Sequence, residues 1–179
     1  MKITILVNDK EVLSHFIENK EEISMFNSIE FATYLNREAK RLDNDINLTK
    51  IQKLLYICYG SYLAVKGQPV FSEEPKAWDY GPVFADVYYF MKLNNDSLGG
   101  LEISEEVVNL IKKECGNLVT SVLNHFGDWS AGQLVAWTHR PETAWHKKYE
   151  IQGEKYTDLD KNDIIQEFER YKVEDKEGQ

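Results

Sequence analysis

The chain has 179 residues, 42% of them hydrophobic, and this amount of apolar material suits one domain with a proper core. Its formal net charge of -9 disfavours nucleic acid and suits a basic partner, because neutralisation of phosphate by cations supplies most nucleic-acid affinity. No apolar run reaches the roughly 18 residues of a membrane span and no signal peptide is evident, which predicts a cytoplasmic protein without a membrane partner.

The N-terminal segment predicts a small extension. Ile3–Val7 is a short apolar run typical of an edge strand. After Asn8, apolar residues recur at helical spacing, at positions Val12, Leu13, Phe16 and Ile17. Residues 1–27 are therefore predicted to form a strand followed by a helix, outside the main domain.

The main domain is predicted to begin with a helix that starts at Asn27 or Ser28 and ends before a polar turn at residues 43–45. Glu30 suits the first turn of this helix. One face carries the apolar residues Phe31, Leu35, Ala39 and Leu42. This pattern predicts a helix that packs on the core by one side.

A helix that is apolar on almost all sides is predicted over residues 49–66. Its start is indicated by Thr49 and Gln52 at capping-box spacing, and its end by Gly67, which suits a left-handed C-cap. Its apolar positions are Ile51, Leu54, Leu55, Tyr56, Ile57, Cys58, Tyr59, Tyr62, Leu63, Ala64 and Val65. Such a helix is expected at the centre of the fold, with a structural core that includes Leu54, Leu55, Tyr56 and Gly60.

A compact segment rich in glycine, proline and aromatic residues follows. It contains Gly67-Gln68-Pro69-Val70-Phe71 and Ala77-Trp78-Asp79-Tyr80-Gly81-Pro82-Val83. Its prolines and glycines limit any strands near residues 68–80 to a few residues. Phe71, Gly81 and Pro82 are predicted to belong to the structural core. Pro82 is also predicted to be the first residue of the next helix, whose apolar face carries Phe84, Val87, Tyr88 and Met91.

Three further helices are predicted, with caps at Ser104, Ser130 and Asp160. The first runs to Gly127, the second to about Thr138 and the last to about Tyr171. The polar tail at residues 173–179 is predicted to be disordered. The fold class is therefore mainly α, with a single compact domain of six to seven helices over residues 28–172. A small β element is placed near residues 68–80, with a further strand at residues 3–7.

The order of motifs along the chain resembles a known family. Lys53-Leu54-Leu55-Tyr56, Gly60, the GxPxF string at 67–71 and the AWxYGPV string at 77–83 together resemble the Panacea domain of SocA-like antitoxins. Residues 134–141, with Thr138 and His139, followed by Trp145, look like the same family's Thr-His element and its Trp. The resemblance runs from about Ser28 to about Tyr171. Tyr59 departs from it, because the family often has Gln there.

The resemblance implies a function. Members of this family, found in bacterial and phage toxin–antitoxin pairs, act by binding a cognate toxin, and at least one delivers its toxin to a protease. We therefore expect a non-catalytic antitoxin that binds a basic protein toxin and that acts as an adaptor for a protease such as an AAA+ protease.

Enzymatic and metal-binding alternatives have little support in the sequence. Pro141 interrupts the segment between His139 and His146, and no metal-ligand motif is present. Cys58 lies in the most apolar helix, where a thiolate is disfavoured, and it is expected to be a reduced, packed thiol like Cys115. We predict no catalytic residues, no metal and no cofactor.

Two segments are candidates for partner binding. In residues 137–149, aromatic residues alternate with basic ones, which suits a buried helix pair, a protein contact or a nucleic-acid contact. The last of these is the alternative function, a nucleic-acid-binding transcriptional regulator. In the second segment, a rigid turn is expected to direct one of Trp78 and Tyr80 inward and present the other to a partner. The candidate partner-binding residues are Trp78, Tyr80, Thr138, His139, Arg140 and Trp145.

Overall fold

The computed structural model describes residues 2–7, 10–15 and 25–174, and side chains within residues 25–171. In this part of the chain there are six α-helices, one π-helical segment and five short strands, which confirms a mainly α fold. In chain order the elements are β1 Lys2–Val7, β2 Lys10–His15, α1 Ser28–Arg41, α2 Leu48–Lys66, β3 Lys76–Trp78, β4 Gly81–Val83, α3 Ala85–Leu93, α4 Glu105–Phe126, α5 Ala131–Thr138, the π segment His146–Ile151, α6 Lys161–Glu169 and β5 Lys172–Glu174.

Helix α2 is the centre of the domain, as its sequence predicts. Every residue from Lys50 to Ala64 is buried, and the helix packs against α1, α3, α4, α5 and α6. Gly67 ends it in the left-handed conformation, with a φ of 71°. The predicted capping box at Thr49 is wrong. The cap is Asn47, whose side chain accepts a hydrogen bond from the Lys50 amide at 2.9 Å, so the helix begins one residue earlier.

The predicted structural core surrounds this helix. The side chains of Leu54, Leu55, Tyr56 and Phe71 are completely buried. Gly60 lies against the ring of Phe168 from α6, and a Cβ atom at Gly60 would come within 2.1 Å of that ring. Close contact between α2 and α6 therefore requires glycine at this position.

The two short strands predicted near residues 68–80 form a hairpin slightly later in the chain. Strand β3 pairs antiparallel with β4, and Asp79 and Tyr80 form the turn between them. Gly81 and Pro82 are buried, and Pro82 lies in β4. The prediction that Pro82 begins a helix is therefore wrong, since α3 starts at Ala85.

The side chain of Gln52 explains this difference. Its amide oxygen accepts a hydrogen bond from the Phe84 amide at 2.7 Å, and its nitrogen donates to the Phe84 carbonyl at 3.2 Å. This pair of bonds copies the pattern of a neighbouring strand and holds the backbone extended up to Phe84. Pairing with β3 does the same for Pro82. The interaction joins residues 32 positions apart, so local patterns cannot reveal it.

The ends of the chain meet in a second sheet with the strand order β2-β1-β5, all antiparallel. The strand predicted at residues 3–7 is confirmed, but the helix predicted to follow it is wrong over β2. Phe16 and Ile17 lie outside the described residues. Val173 and Glu174, predicted to be disordered, pair with β1, and the rest of that tail lies outside the described residues. Backbone pairing between distant segments overrides the local pattern here.

The caps predicted for the later helices are confirmed. Ser104 accepts a hydrogen bond from the Val107 amide, and Asp160 caps α6. Ser130 and Gln133 form the complete capping box at the start of α5. Among the helices that the structure describes, none has the length and apolar character needed to cross a bilayer.

Candidate partner-binding site

The two strongest sequence motifs meet at one cleft. This cleft, of about 310 Å³, lies between the first turns of α2, the β3–β4 hairpin and α3. Its lining includes Leu48, Lys53, Trp78, Tyr80, Tyr88 and Tyr156. The segments 53–56 and 77–83 are distant in the sequence, and both contribute to this cleft because β4 packs on α2.

Aromatic side chains surround the mouth of the cleft. Trp78 is half-buried and makes edge contacts with Tyr88, Tyr89 and Tyr156 at ring-centroid distances of 5.0, 6.1 and 6.0 Å. Tyr80, at the hairpin turn, is 74% exposed. We call the five residues Trp78, Tyr80, Tyr88, Tyr89 and Tyr156 the aromatic face. Of the two aromatic residues in the turn segment, Tyr80 is the one that faces solvent.

Asp79 holds the hairpin and a later loop together at the edge of the cleft. Its carboxylate accepts hydrogen bonds from the hydroxyls of Tyr149 and Tyr156, the latter at 2.7 Å. These bonds hold the pKa of Asp79 below its ordinary value. Tyr156 is thereby fixed beside Trp78, although it lies in an irregular loop.

Lys53 forms the inner end of the cleft. Its side chain is 1% exposed, and its Nζ donates a hydrogen bond to the Pro82 carbonyl at 2.9 Å. Burial lowers the pKa of Lys53 to about 7. A Cβ atom at Gly81 would lie 2.9 Å from Lys53 Cε and 2.6 Å from Thr138 Oγ1, so glycine allows the hairpin to pack directly on this lysine.

Thr138 and Trp145 lie beneath the hairpin, where they are 0% and 2% exposed. The indole nitrogen of Trp145 donates a hydrogen bond to the Trp78 carbonyl at 2.8 Å. The Trp145 ring stacks on the imidazole of His139, with 3.6 Å between the ring centroids. Thr138 and Trp145 are predicted to contact a partner. In this structure both side chains are covered, and Trp145 supports the hairpin.

His139 is half-buried. The pKa of the His139 imidazole is lowered mainly by burial and, to a smaller extent, by the nearby charge of Lys53. The neutral form of His139 is therefore favoured near pH 7.

The basic residues of segment 137–149 are engaged within the protein. Arg140 donates to the Trp137 carbonyl at 2.8 Å and to the Tyr171 hydroxyl, and its guanidinium lies over the Trp137 ring. Lys147 pairs with Asp163, and Lys148 pairs with Glu154. Trp137 and Trp145 are buried. A base-stacking platform uses exposed aromatics beside free cations, and the two tryptophans and three cations named here do not have those properties.

A buried carboxylate links α6 to α2 and to the segment after α5. Glu167 is 1% exposed, and its Oε2 accepts hydrogen bonds from the Tyr56 hydroxyl at 2.7 Å and the Ala144 amide at 2.9 Å. Burial raises the pKa of Glu167 to about 7, and these hydrogen bonds partly oppose the shift. The network fixes the segment that carries Trp145.

The described residues contain no group of three or more His, Cys, Asp or Glu side chains that could hold a metal ion. Cys58 and Cys115 are free and buried. Burial raises the pKa of Cys115 to about 12 and also raises that of Cys58, so neither thiol is a ready nucleophile.

Four residues of this site are not predicted from the sequence as site residues: Asp79, Tyr88, Tyr89 and Tyr156. The sequence pattern places Tyr88 on the apolar face of a helix and Asp79 within a motif, without indicating a role for either in the site. Tyr156 lies in a polar loop without periodicity, so no local signal identifies it. Backbone hydrogen bonds join Tyr156 and Thr157 to Ala77 of β3, and together with the hydrogen bond from the Tyr156 hydroxyl to Asp79 they bring Tyr156 to the cleft.

The fold and the cleft together define a helical module with an aromatic surface suited to binding. The sequence model described as "Antitoxin SocA-like, Panacea domain" matches residues 51–146, which is more than half of the chain. The chain belongs to this family, as its motifs predict.

The chain is also 32% identical over 126 residues to Antitoxin SocA of Caulobacter vibrioides (strain NA1000 / CB15N). This match covers 64% of the chain and spans 65% of the length of that relative. No solved structure matches the chain significantly.

Proposed function

We propose that this protein is a cytoplasmic antitoxin that neutralises a cognate protein toxin by binding it directly through the aromatic face. The observation that carries the proposal is the exposure of Tyr80, Tyr89 and Tyr156, at 74%, 57% and 54%, around a cleft built from the family's two main motifs. Tyrosine and tryptophan are enriched among the residues that dominate binding energy, because they bury large areas with few rotatable bonds.

The rigidity of the support favours the same conclusion. The hairpin is held by Trp145 from beneath, by Gln52 at its end and by the Asp79 hydrogen bonds at its tip. A surface that is already ordered loses less conformational entropy on binding than a mobile loop does. The aromatic face therefore has the properties of a preorganised binding site.

Delivery of the toxin to an AAA+ protease would require a second surface that remains free in the complex. A separate cleft of about 370 Å³ lies between α6 and the π segment, and Ile151 beside it is 71% exposed. This arrangement supports an adaptor role in which toxin and protease occupy different faces.

The first test compares the wild-type protein with a Tyr80→Ala variant. Co-expression of the wild type with the product of the adjacent gene should relieve growth arrest, and the two proteins should co-purify. Tyr80→Ala should weaken the complex by about 2 kcal/mol, or roughly 30-fold, because an exposed aromatic anchor is lost. The measurements are titration calorimetry of the complex and growth rescue. The melting temperature should stay the same, since Tyr80 is largely exposed.

Leu110→Ala, at a 46% exposed position on α4, is the matched control and should leave the affinity unchanged. Wild-type affinity for Tyr80→Ala would contradict the assignment of the aromatic face. Rescue of growth by an unrelated acidic protein would contradict direct neutralisation.

Salt dependence provides a second test. A basic toxin should associate more slowly as salt is raised, while its dissociation rate changes less, because long-range attraction to a protein of charge -9 acts mainly on the approach. Duplex DNA should not bind comparably, since the same charge repels phosphate. The measurement is association kinetics with each partner at several salt concentrations. Tight, salt-sensitive DNA binding that Arg140→Ala and Lys147→Ala abolish would contradict this account and favour the transcriptional regulator.

A further inference from the structure

The cleft beneath the aromatic face combines an apolar wall with a single buried cation. Trp78, Tyr88 and Val83 belong to its lining, and Lys53 belongs to the same cleft while being almost inaccessible to solvent. Leu48 and Thr49, the first two residues of α2, also line it, so the positive end of that helix adds to the potential.

The ammonium group of Lys53 is under-satisfied for a buried charge. It can donate three hydrogen bonds, and among the described residues the acceptor found for it is the Pro82 carbonyl. The ion pairs of the described residues do not include it, and Asp79 at the mouth accepts from Tyr149 and Tyr156 instead. A buried cation without an opposite charge is unfavourable, whereas a methionine would fill the same space without this penalty.

An anion in the cleft would supply the missing opposite charge, and the walls restrict its kind. A volume of about 310 Å³ is at the small end of ligand clefts, which span roughly 300–1,000 Å³, so a short group fits better than a long segment. The last residue of a polypeptide carries a carboxylate and an apolar side chain on the same carbon atom. These two groups match the two features of the cleft, in which the Lys53 ammonium group lies beside the aromatic side chains of Trp78 and Tyr88.

We propose that the cleft binds the C-terminal carboxylate of the partner polypeptide, with the carboxylate on Lys53 Nζ and the last apolar side chain against Trp78 and Tyr88. The inference deepens the proposed function, on which it rests, by naming the part of the partner that enters the site.

The test uses small probes and needs no toxin. N-acetyl-L-leucine represents the chain terminus, and N-acetyl-L-leucinamide is its uncharged match. Each is titrated into the full chain at pH 6, where Lys53 is charged, and binding is followed by NMR at the Trp78 indole and the Gly81 amide. The carboxylate should bind at least about tenfold more tightly than the amide, because a charge-assisted hydrogen bond to a buried ammonium is lost in the amide.

Lys53→Met should remove this preference, so that both probes bind equally weakly. The variant should fold, since an apolar chain of similar length replaces a buried charge. Lys155→Met is the matched control, because Lys155 lies near the mouth, over the Tyr149 ring, and should leave the preference intact.

Three results would overturn the inference. These are equal binding of the two probes by the wild-type chain, failure of N-acetyl-L-leucine to bind, and tighter binding of N-acetyl-L-glutamic acid α-amide, which carries its carboxylate on a side chain. None of them would affect neutralisation through the aromatic face. Conversely, failure of growth rescue would contradict neutralisation of a toxin but would not change the result of the probe titrations. The two proposals can therefore be refuted independently.

Discussion

Leu55→Ala is expected to lower the free energy of unfolding by about 2–5 kcal/mol, the usual range for a large core cavity. Leu55 lies in the middle of α2 and is completely buried. Helices pack on several sides of α2, so a shift of one neighbour to fill the space would disturb its other contacts. The cavity should therefore persist, and the loss should lie toward the upper part of this range. Urea denaturation followed by circular dichroism measures it.

Glu106→Ala is the control for this substitution. Glu106 is exposed in the first turn of α4, where its charge interacts with the helix dipole, so its loss should cost less than about 1 kcal/mol. If Leu55→Ala destabilised the protein no more than this control, α2 would not be the centre of the core.

Glu167→Gln is expected to stabilise the protein at pH 8 and to leave its stability nearly unchanged at pH 4.5. Burial raises the pKa of Glu167 from 4.5 to about 7 in the folded state. Between these values the folded chain holds a proton that the unfolded chain has released, so stability falls as the pH rises from about 4.5 to about 7. Above pH 7 the buried charge should cost on the order of 3 kcal/mol, which glutamine avoids.

The slope of stability against pH between 4.5 and 7 is the quantity to measure, by denaturant unfolding at each pH. The wild type should show a decrease that the glutamine variant lacks, and Glu106→Gln should behave as the wild type does. Lys53 affects stability in a different pH range. Its folded pKa of about 7 lies below the ordinary value of 10.5, so its contribution raises stability between about pH 7 and 10.5. Identical slopes for the wild type and Glu167→Gln would show that this carboxyl is not buried.

The Glu167→Gln substitution, which removes the carboxyl group, should also leave the structure of the aromatic face unchanged. Glutamine can still accept the hydrogen bonds from Tyr56 and Ala144 through its side-chain oxygen. The position of Trp145 beneath the hairpin should therefore be kept. Stability and partner binding are separable at Glu167, whereas a substitution at Trp145 would change both.

Local patterns predicted the helices well. Helix α2 was predictable because its apolar positions occur on all sides and Gly67 marks its end. Ser104, Ser130 and Asp160 were predictable as caps because a cap acts within its own first turn. These features depend on residues a few positions apart, and that information is present in the sequence.

The cap of α2 was mispredicted by a local shift to Asn47, whereas the larger errors arose where a distant segment supplied the decisive contact. Pro82 is a favourable first helical residue in isolation, but pairing with β3 and the side chain of Gln52 keep the backbone extended. The spacing of residues 12–17 suggests a helix, yet β2 pairs with β1. In both cases hydrogen bonds between distant segments of the folded chain outweigh a local preference for helix of about 1 kcal/mol.

The sequence by itself determined the family, the mainly helical fold and the central place of α2, because these follow from motifs and periodicity within single elements. Tertiary structure alone decided what the motif residues do. Packing of β4 on α2 buries Lys53, covers Thr138 and Trp145, and leaves Tyr80 exposed beside Tyr156. The physical reason is that burial and charge environment depend on which surfaces meet, and those surfaces come from segments far apart in the chain.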